Sequence, residues 1–262
     1  MKVVSVVSAS GGTGKTTLAA SLAALLAADG RRVVAIDLSP QNALRLHLGV
    51  LPARTGGLAQ ALLARASWEG AMANGIDGVS VLPFGALEAQ DQQRLERELD
   101  AEPQWFAHGL ATLNAAAAEI VVVDTPPGAS LFTHAALGAA NLALNVVLAD
   151  AASYAAIAQM QRLIETAAAR RPEFIGAACV TNQADPARPL NKDVLRVLRD
   201  LLGERIYPGV IHSDEGVREA LACNTTIAHY DASCQATADL RECAAWLRDR
   251  LNTPGLSQGS AA

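Results

Sequence analysis

Short apolar runs rich in valine, isoleucine and leucine recur along the chain, and alanine-rich stretches with helical spacing lie between most of them. Runs of this kind are typical of strands buried on both faces of a sheet. Their alternation with helices predicts an α/β fold with a doubly wound, mostly parallel sheet flanked by helices, in which ligands bind at the carboxyl ends of the strands. The runs span residues 2–8, 32–38, 78–84, 119–124, 142–149, 174–181 and 205–211.

The pattern continues without a linker rich in proline, glycine or serine until residue 253. We therefore expect a single domain over residues 1–252 and a disordered tail over residues 253–262. The chain has 262 residues, of which 51% are hydrophobic, so it is long enough to bury one large core. Residues 87–100 are the most charged segment, which predicts a solvated helix, with partner contact as the alternative.

Charge and cysteine usage exclude several classes of protein. The formal net charge of −5 gives no general attraction to nucleic acid or to anionic lipid. The four cysteines have no C-x-x-C spacing, which argues against a zinc site and against a disulfide framework. The apolar stretch 135–149 is interrupted by Asn141 and Asn145 and is too short to span a bilayer. We expect a cytoplasmic protein with no nucleic-acid partner and no direct membrane insertion.

Residues 8–17, SASGGTGKTT, join the first predicted strand to the first predicted helix. In such a glycine-rich turn, backbone N–H groups and the helix N-terminus surround an anion. Lys15 would add a mobile positive charge, and the Thr16 hydroxyl would bind Mg²⁺. Ala9 stands where the strict phosphate-loop pattern has glycine, and it is tolerable if its φ stays negative. The alternative is a purely structural connection. The candidate phosphate-binding residues are Gly11, Gly12, Thr13, Gly14, Lys15, Thr16 and Thr17.

Two aspartates follow predicted strands behind this loop. Asp37 ends the run AIDL, and Asp124 ends the run VVVD and precedes TPPG. An aspartate at such a strand end can hold a magnesium-bound water near the terminal phosphate of a nucleotide. Asp37 and Asp124 are therefore candidate metal-binding residues together with Thr16, and they are the candidate catalytic residues.

Three motifs, SGGTGKTT, DLSPQN and DTPPG, resemble the phosphate-side motifs of the MinD/ParA family, a P-loop family with a deviant Walker A sequence. Its members bind ATP and pair face to face across it. Within that family the chain is most similar to the cellulose-biosynthesis branch, the BcsQ (YhjQ) proteins. This finer resemblance rests on SPQNALRL (39–46), VLPFGAL (81–87), VTN (180–182) and VIHSDEGVREAL (210–221), and the whole resemblance covers about residues 1–251.

The resemblance implies a P-loop domain that binds ATP and Mg²⁺. Asn182 would read the adenine edge, and the loop 208–214 would cover the base, with contacts from Pro208, Ile211, His212 and Asp214. It also implies a homodimer across ATP at the cytoplasmic side of a cellulose synthase secretion complex, with a small partner of the BcsR type. Any recruitment to the inner membrane would come through such partners.

Two residues depart from the MinD/ParA pattern. Ser10 replaces the lysine that would reach the phosphates of the opposite subunit, and Ser39 replaces the second aspartate of the first switch. A hydroxyl does not accept a proton as a carboxylate does at neutral pH. These departures predict a dimeric scaffold that binds ATP and hydrolyses it slowly or not at all. The alternatives are a cycling ATPase that positions or partitions cargo, and a small-molecule kinase or ligase, for which residues 50–104 offer no sign of an acceptor pocket.

Overall fold

The computed structural model describes residues 1–51, 56–113, 118–168 and 171–252. The predicted disordered tail, residues 253–262, lies outside the described residues. Among the residues that are described, no helix is both long enough and apolar enough to cross a membrane.

A seven-stranded sheet in the order β3-β4-β2-β5-β1-β6-β7 forms the centre of the described structure. All strand pairs are parallel except β3 with β4, so the predicted doubly wound, mostly parallel α/β fold is confirmed. The strands are β1 (Lys2–Val7), β2 (Val33–Asp37), β3 (Ala73–Asn74), β4 (Ser80–Leu82), β5 (Ile120–Asp124), β6 (Leu142–Leu148) and β7 (Gly176–Asn182).

Helices cover both faces of the sheet because successive residues of each buried strand point to opposite sides. In β1, Val4 and Val6 pack in the cluster that contains α1 and α11, whereas Val3 packs with α5 and α6 on the other face. The helices are α1 (Lys15–Ala28), α2 (Leu44–His47), α3 (Leu58–Leu63), α4 (Ala89–Asp100), α5 (Trp105–Thr112), α6 (Leu131–Ala139), α7 (Ala151–Ala168), α8 (Pro189–Leu202), α9 (Gly216–Ala222), α10 (Ile227–Tyr230) and α11 (Gln235–Asn252). Short 3₁₀ turns lie at Trp68–Ala71, Ile76–Gly78 and Gly203–Arg205.

The prediction of a strand over residues 205–211 was wrong. This segment runs beside β7 and makes separate backbone hydrogen bonds, from Tyr207 N to Cys179 O at 2.8 Å and from Ile211 N to Thr181 O at 2.9 Å. Pro208 lies between these two contacts, and proline lacks the N–H that a regular ladder requires. The segment is therefore anchored to the edge of the sheet without continuing it.

The charged segment forms a solvated helix, as predicted. Only Leu95 and Leu99 of α4 are buried, and an ion pair between Arg94 and Glu98 lies on its exposed surface. The two-residue strand β3 was not predicted, since two residues show no periodicity and pair with β4 only through the tertiary fold.

An aromatic cluster fills the core on the α5 side of the sheet. The Trp68 ring centroid lies 6.3 Å from that of Trp105 and 5.8 Å from that of Phe106. Gly109 of α5 faces Trp68 so closely that a Cβ added there would overlap the indole ring. The missing side chain at this position is what allows α5 to pack against Trp68.

We predict that Gly109→Ala lowers the free energy of unfolding by about 1–3 kcal/mol through overpacking. Alanine ordinarily favours a helix over glycine by about 1 kcal/mol, so the overlap must outweigh this gain. Gly138→Ala in α6 is the matched control, because apart from the neighbouring residues and backbone of its own helix no atom lies within 4 Å of the added Cβ. The control should raise the free energy of unfolding in denaturant titrations, and an equal effect of the two substitutions would contradict this packing account.

Candidate functional site

The site forms where β1, β2 and β5 end at the same edge of the sheet. Asp37 and Asp124 are the last residues of β2 and β5 and are direct partners in the strand register. The adjacent strand β1 leads into the glycine-rich loop, and this loop opens into α1 at Lys15. The order of strands therefore brings the loop and both acidic residues together.

The glycine-rich loop has the backbone shape that a phosphate cradle needs. Gly12 and Gly14 have φ values of +77° and +83°, which side chains of L-residues rarely tolerate. A Cβ on Gly14 would also overlap the Asn182 amide. Ala9 is not among the residues with positive φ in the described part of the chain, so alanine is tolerated at this position of the loop, where the strict pattern has glycine.

Lys15 begins α1 and is buried beneath the loop. Its Nζ donates a hydrogen bond to Ser8 Oγ at 2.9 Å, and Ser8 Oγ donates in turn to Ser10 O at 2.6 Å. Burial lowers the pKa of Lys15, while the charge of Asp124 acts in the opposite direction. Because the hydrogen-bond acceptor of Lys15 is neutral, its charge remains available to an anion held in the loop.

Asp124 presents an unpaired oxygen beside Lys15. Its Oδ2 accepts a hydrogen bond from Thr16 Oγ1 at 2.7 Å, whereas its buried Oδ1 has no hydrogen-bond partner within the described residues. Burial raises the pKa of Asp124 to about 6 despite the opposing effects of the Thr16 hydroxyl, the Lys15 charge and the nearby Thr125 backbone N–H. A buried carboxylate oxygen without a partner, next to a hydroxyl, fits a hard divalent cation or its coordinated water.

Asp37 is also buried, but both of its oxygens are already engaged. Oδ1 accepts the N–H of Ser39 at 2.9 Å, and Oδ2 accepts the N–H of Leu44 at 3.1 Å. Burial and the charge of Asp124 raise the pKa of Asp37, and these two backbone hydrogen bonds act against the rise. Asp37 therefore shapes the loop that leads into α2, and Asp124 has the freer oxygen for a cation.

A cavity of about 320 Å³ lies on the other side of the glycine-rich loop, between the end of β7 and the start of α9. Asn182 Nδ2 donates to Thr13 O at 2.8 Å, and Gln183 Nε2 donates to Gly12 O at 2.9 Å, so the end of β7 is tied to the loop. Seven predicted site residues line this cavity: Gly12, Gly14, Thr17, Asn182, Ile211, His212 and Asp214.

Three other predicted residues lie elsewhere. Pro208 is exposed and is not among the residues that line the cavity, and its carbonyl accepts a hydrogen bond from Arg199. Gly11 is exposed in the loop, and Thr13 is buried behind it. The other candidate residues form two groups, with Lys15, Thr16, Asp37 and Asp124 beneath the loop and the cavity residues beside it.

Sequence reasoning missed several residues of the cavity. Gln183, Val217, Arg218 and Leu240 line it. Gln183 directly follows the predicted Asn182, so it could have been included as a candidate from its position in the sequence. Leu240 belongs to α11, and no local sequence pattern links it to the loop near residue 212.

The comparisons with known proteins agree with this geometry. The family model for the cellulose biosynthesis protein BcsQ matches residues 1–247. The chain is 28% identical to the cellulose biosynthesis protein BcsQ of Escherichia coli K12, over the full length of both chains. It is 31% identical to the chromosome-partitioning ATPase Soj of Thermus thermophilus, over 84% of each chain.

A solved structure supports the fold. The septum site-determining protein MinD of Pyrococcus horikoshii, complexed with Mg-ADP, has a TM-score of 0.77 and 21% identity to this chain. The match covers 94% of this chain and 95% of that one. The resemblance drawn from the sequence motifs is therefore confirmed at the level of family and of fold.

We predict that Asp124→Asn stabilises the ligand-free protein at pH 8. The pKa of this acid is raised on folding, which means that the folded state favours the protonated carboxyl group. Its stabilising contribution is therefore fully present below pH 4 and is lost as the pH rises through about 6. Removing the charge should raise the free energy of unfolding at pH 8 by about 1–3 kcal/mol, with a much smaller effect at pH 4.5.

The control is Asp193→Asn on α8, where the carboxylate is exposed and forms an ion pair with Arg196. This change should alter stability by less than about 0.5 kcal/mol at either pH. Urea titrations at both pH values measure the effect. If Asp124→Asn destabilised the protein equally at both, the buried charge would not be the cost that we assign to it.

Proposed function

This chain belongs to the BcsQ family of cellulose biosynthesis proteins, and we propose that it is an ATP-binding dimeric scaffold or regulator of a bacterial cellulose synthase secretion complex. In this proposal the protein holds ATP with Mg²⁺ and hydrolyses it slowly or not at all. The observation that carries the proposal is the glycine-rich loop over Lys15, with Thr16 and the unpaired oxygen of Asp124 beside it.

The nucleotide and the cation follow from the chemistry of these groups. The loop and the N-terminus of α1 would hold phosphates, and Lys15 would contact the outer ones. Thr16 and Asp124 would hold Mg²⁺, which neutralises phosphate charge when bound, and Asp37 would assist through a coordinated water. The similarity to an ATPase named Soj, and to MinD in complex with Mg-ADP, supports the choice of an adenine nucleotide.

Slow hydrolysis is supported by the environment of the two serines. Ser39 is buried, its N–H donates to Asp37, and its Oγ accepts from Gln41 N at 3.4 Å, so it offers no carboxylate to the attacking water. A positioned general base is worth about 10²–10⁴ in rate.

Ser10 is exposed and uncharged, so it supplies no cation to the phosphates of an opposite subunit. A cation supplied to the transferring phosphoryl group from outside the subunit is worth about 10³–10⁵.

Dimerisation is supported by the position of the loop. Ser10, Gly11 and Gly12 are exposed, so a second copy has access to a nucleotide held there. A nucleotide closed between two subunits stabilises the dimer by about 4 kcal/mol if its free concentration is a thousand times Kd. We propose that this dimer docks at the cytoplasmic side of the secretion complex, with a small partner of the BcsR type, and reaches the inner membrane only through partners.

A second candidate function is a cycling ATPase that positions or partitions cargo in the manner of MinD/ParA proteins. The similarity to the chromosome-partitioning ATPase Soj favours it. It requires steady turnover of ATP, and the scaffold does not.

We predict that Lys15→Ala abolishes retention of ATP, because the loop loses the cation that it holds beneath the phosphates. The chain has three lysines, at positions 2, 15 and 192. Lys192→Ala on the exposed surface of α8 is therefore a matched control and should bind ATP as the wild type does. Equilibrium titration with Mg-ATP measures both variants. An unchanged Kd for Lys15→Ala would refute the assignment of the loop.

We also predict that Ser39→Asp combined with Ser10→Lys raises the rate of ATP hydrolysis well above that of the wild type. The aspartate would supply an acceptor for the attacking water, and the lysine would supply charge to the phosphates of the opposite subunit. Ser10→Lys alone should mainly tighten binding, because a cation also acts on the phosphates of the ground state.

Single-turnover phosphate release from the wild type, the two single variants and the double variant measures this effect. Rapid hydrolysis by the wild type would mean that another residue supplies the missing chemistry, and the second candidate function would then be preferred.

A further inference from the structure

The loop 211–214 forms one wall of the 320 Å³ cavity, and three of its four backbone N–H groups are already used. Ile211, His212 and Ser213 each donate their N–H to an acceptor within the protein, at 2.8–2.9 Å. A ligand in the cavity therefore meets this wall through carbonyl oxygens and side chains, and these three N–H groups are not available to it.

The side chain of His212 is held by a carboxylate from a distant part of the chain. Its Nδ1 lies 2.8 Å from Oδ2 of Asp239, the same oxygen that accepts the His212 backbone N–H. Asp239 belongs to α11, and its side chain is only 7% exposed. Its other oxygen accepts a hydrogen bond from Gln235 Nε2 at 2.8 Å. Asp239 is thus fixed at both oxygens and fixes the imidazole in turn.

This contact determines what the imidazole offers to the cavity. An ionised carboxylate accepts hydrogen bonds and has no proton to donate, so the proton of the neutral ring is assigned to Nδ1. Nε2, on the other side of the ring, then carries a lone pair and acts as an acceptor. His212 lines the cavity and its Nδ1 is engaged, so Nε2 is the ring nitrogen left to a ligand, beside backbone donors that are already used.

We propose that Asp239 is a positioning residue that sets the purine preference of this site. By holding His212 with Nε2 as an acceptor, it favours a base edge that donates a hydrogen bond, as the 6-amino group of adenine does. The 6-oxo group of guanine or hypoxanthine would place an acceptor against an acceptor. The inference rests on the proposed function, in which the cavity receives the base of a nucleotide triphosphate.

Asn182 does not make this discrimination by itself. One hydrogen of its Nδ2 is used on Thr13 O, which leaves one N–H and the amide oxygen. An amide with both a donor and an acceptor available can pair with either purine. Selection between the two purines therefore requires a second group of fixed polarity, and His212 held by Asp239 is such a group.

The test compares ATP with inosine triphosphate, whose base carries a 6-oxo group and no 2-amino group. Affinities are measured by equilibrium titration with Mg²⁺ at pH 8. The wild type should bind ATP about 10-fold to 100-fold more tightly, the usual effect of leaving a buried polar group unpaired. In Asp239→Ala, no side-chain oxygen accepts the Nδ1 proton, so the ring can carry its proton on Nε2, and the preference should fall by about tenfold or more, with tighter binding of inosine triphosphate. His212→Phe keeps a ring but removes the acceptor, and it should lose the preference mainly through weaker binding of ATP.

The matched control is another His–Asp pair among the described residues, in which His229 Nε2 lies 2.7 Å from Asp77 Oδ2. Neither residue of this pair lines the cavity. Asp77→Asn should leave the preference unchanged. Equal affinity of the wild type for the two nucleotides, or an equal loss of both in Asp239→Ala, would overturn the inference while ATP binding stands. Binding of neither nucleotide by the wild type would overturn the inference and the proposed function together.

Discussion

Two carboxylates buried side by side at the ends of β2 and β5 are the electrostatic constraint on which the site depends. Asp37 is compensated by two backbone N–H groups, whereas Asp124 has a hydroxyl on one oxygen and, among the described residues, no partner on the other. Burial raises the pKa of both groups. Charges in such surroundings are costly unless they are paired. The ligand-free protein therefore retains a local destabilisation that a divalent cation would remove, which ties the stability of this edge of the sheet to ligand binding.

The rest of the site is built around this pair by backbone geometry. The left-handed glycines turn the loop over Lys15, and the hydrogen bond from Asn182 to Thr13 O joins the loop to the end of β7. The residues beneath the loop and the cavity beside it consequently share the loop as a common boundary. In the proposed scaffold, this preorganised binding is retained while the groups that would accelerate hydrolysis are replaced by Ser10 and Ser39.

Much of the fold, and the position of Lys15 and Thr16 beneath the loop, could be predicted from the sequence, because the signals are local. A buried parallel strand is an apolar run, and the loop and α1 lie within one contiguous motif. The segment around Pro208 was predicted as a strand because its apolar residues resemble one. It does not form a regular strand, because proline lacks the N–H that a continuous ladder of hydrogen bonds requires. Asp239 could not be found in this way, since its contact with His212 joins residues 27 positions apart and depends on how α11 packs. The orphan oxygen of Asp124 likewise depends on strand register, which the sequence pattern does not specify.

The most direct test of the scaffold proposal is the lifetime of the Mg-ATP complex after free nucleotide has been removed, followed by light scattering on a sizing column with the nucleotide in the eluted peak identified. The account predicts a persistent particle with the mass of two chains that still contains unhydrolysed ATP. Conversion within minutes to single chains with released ADP would contradict it.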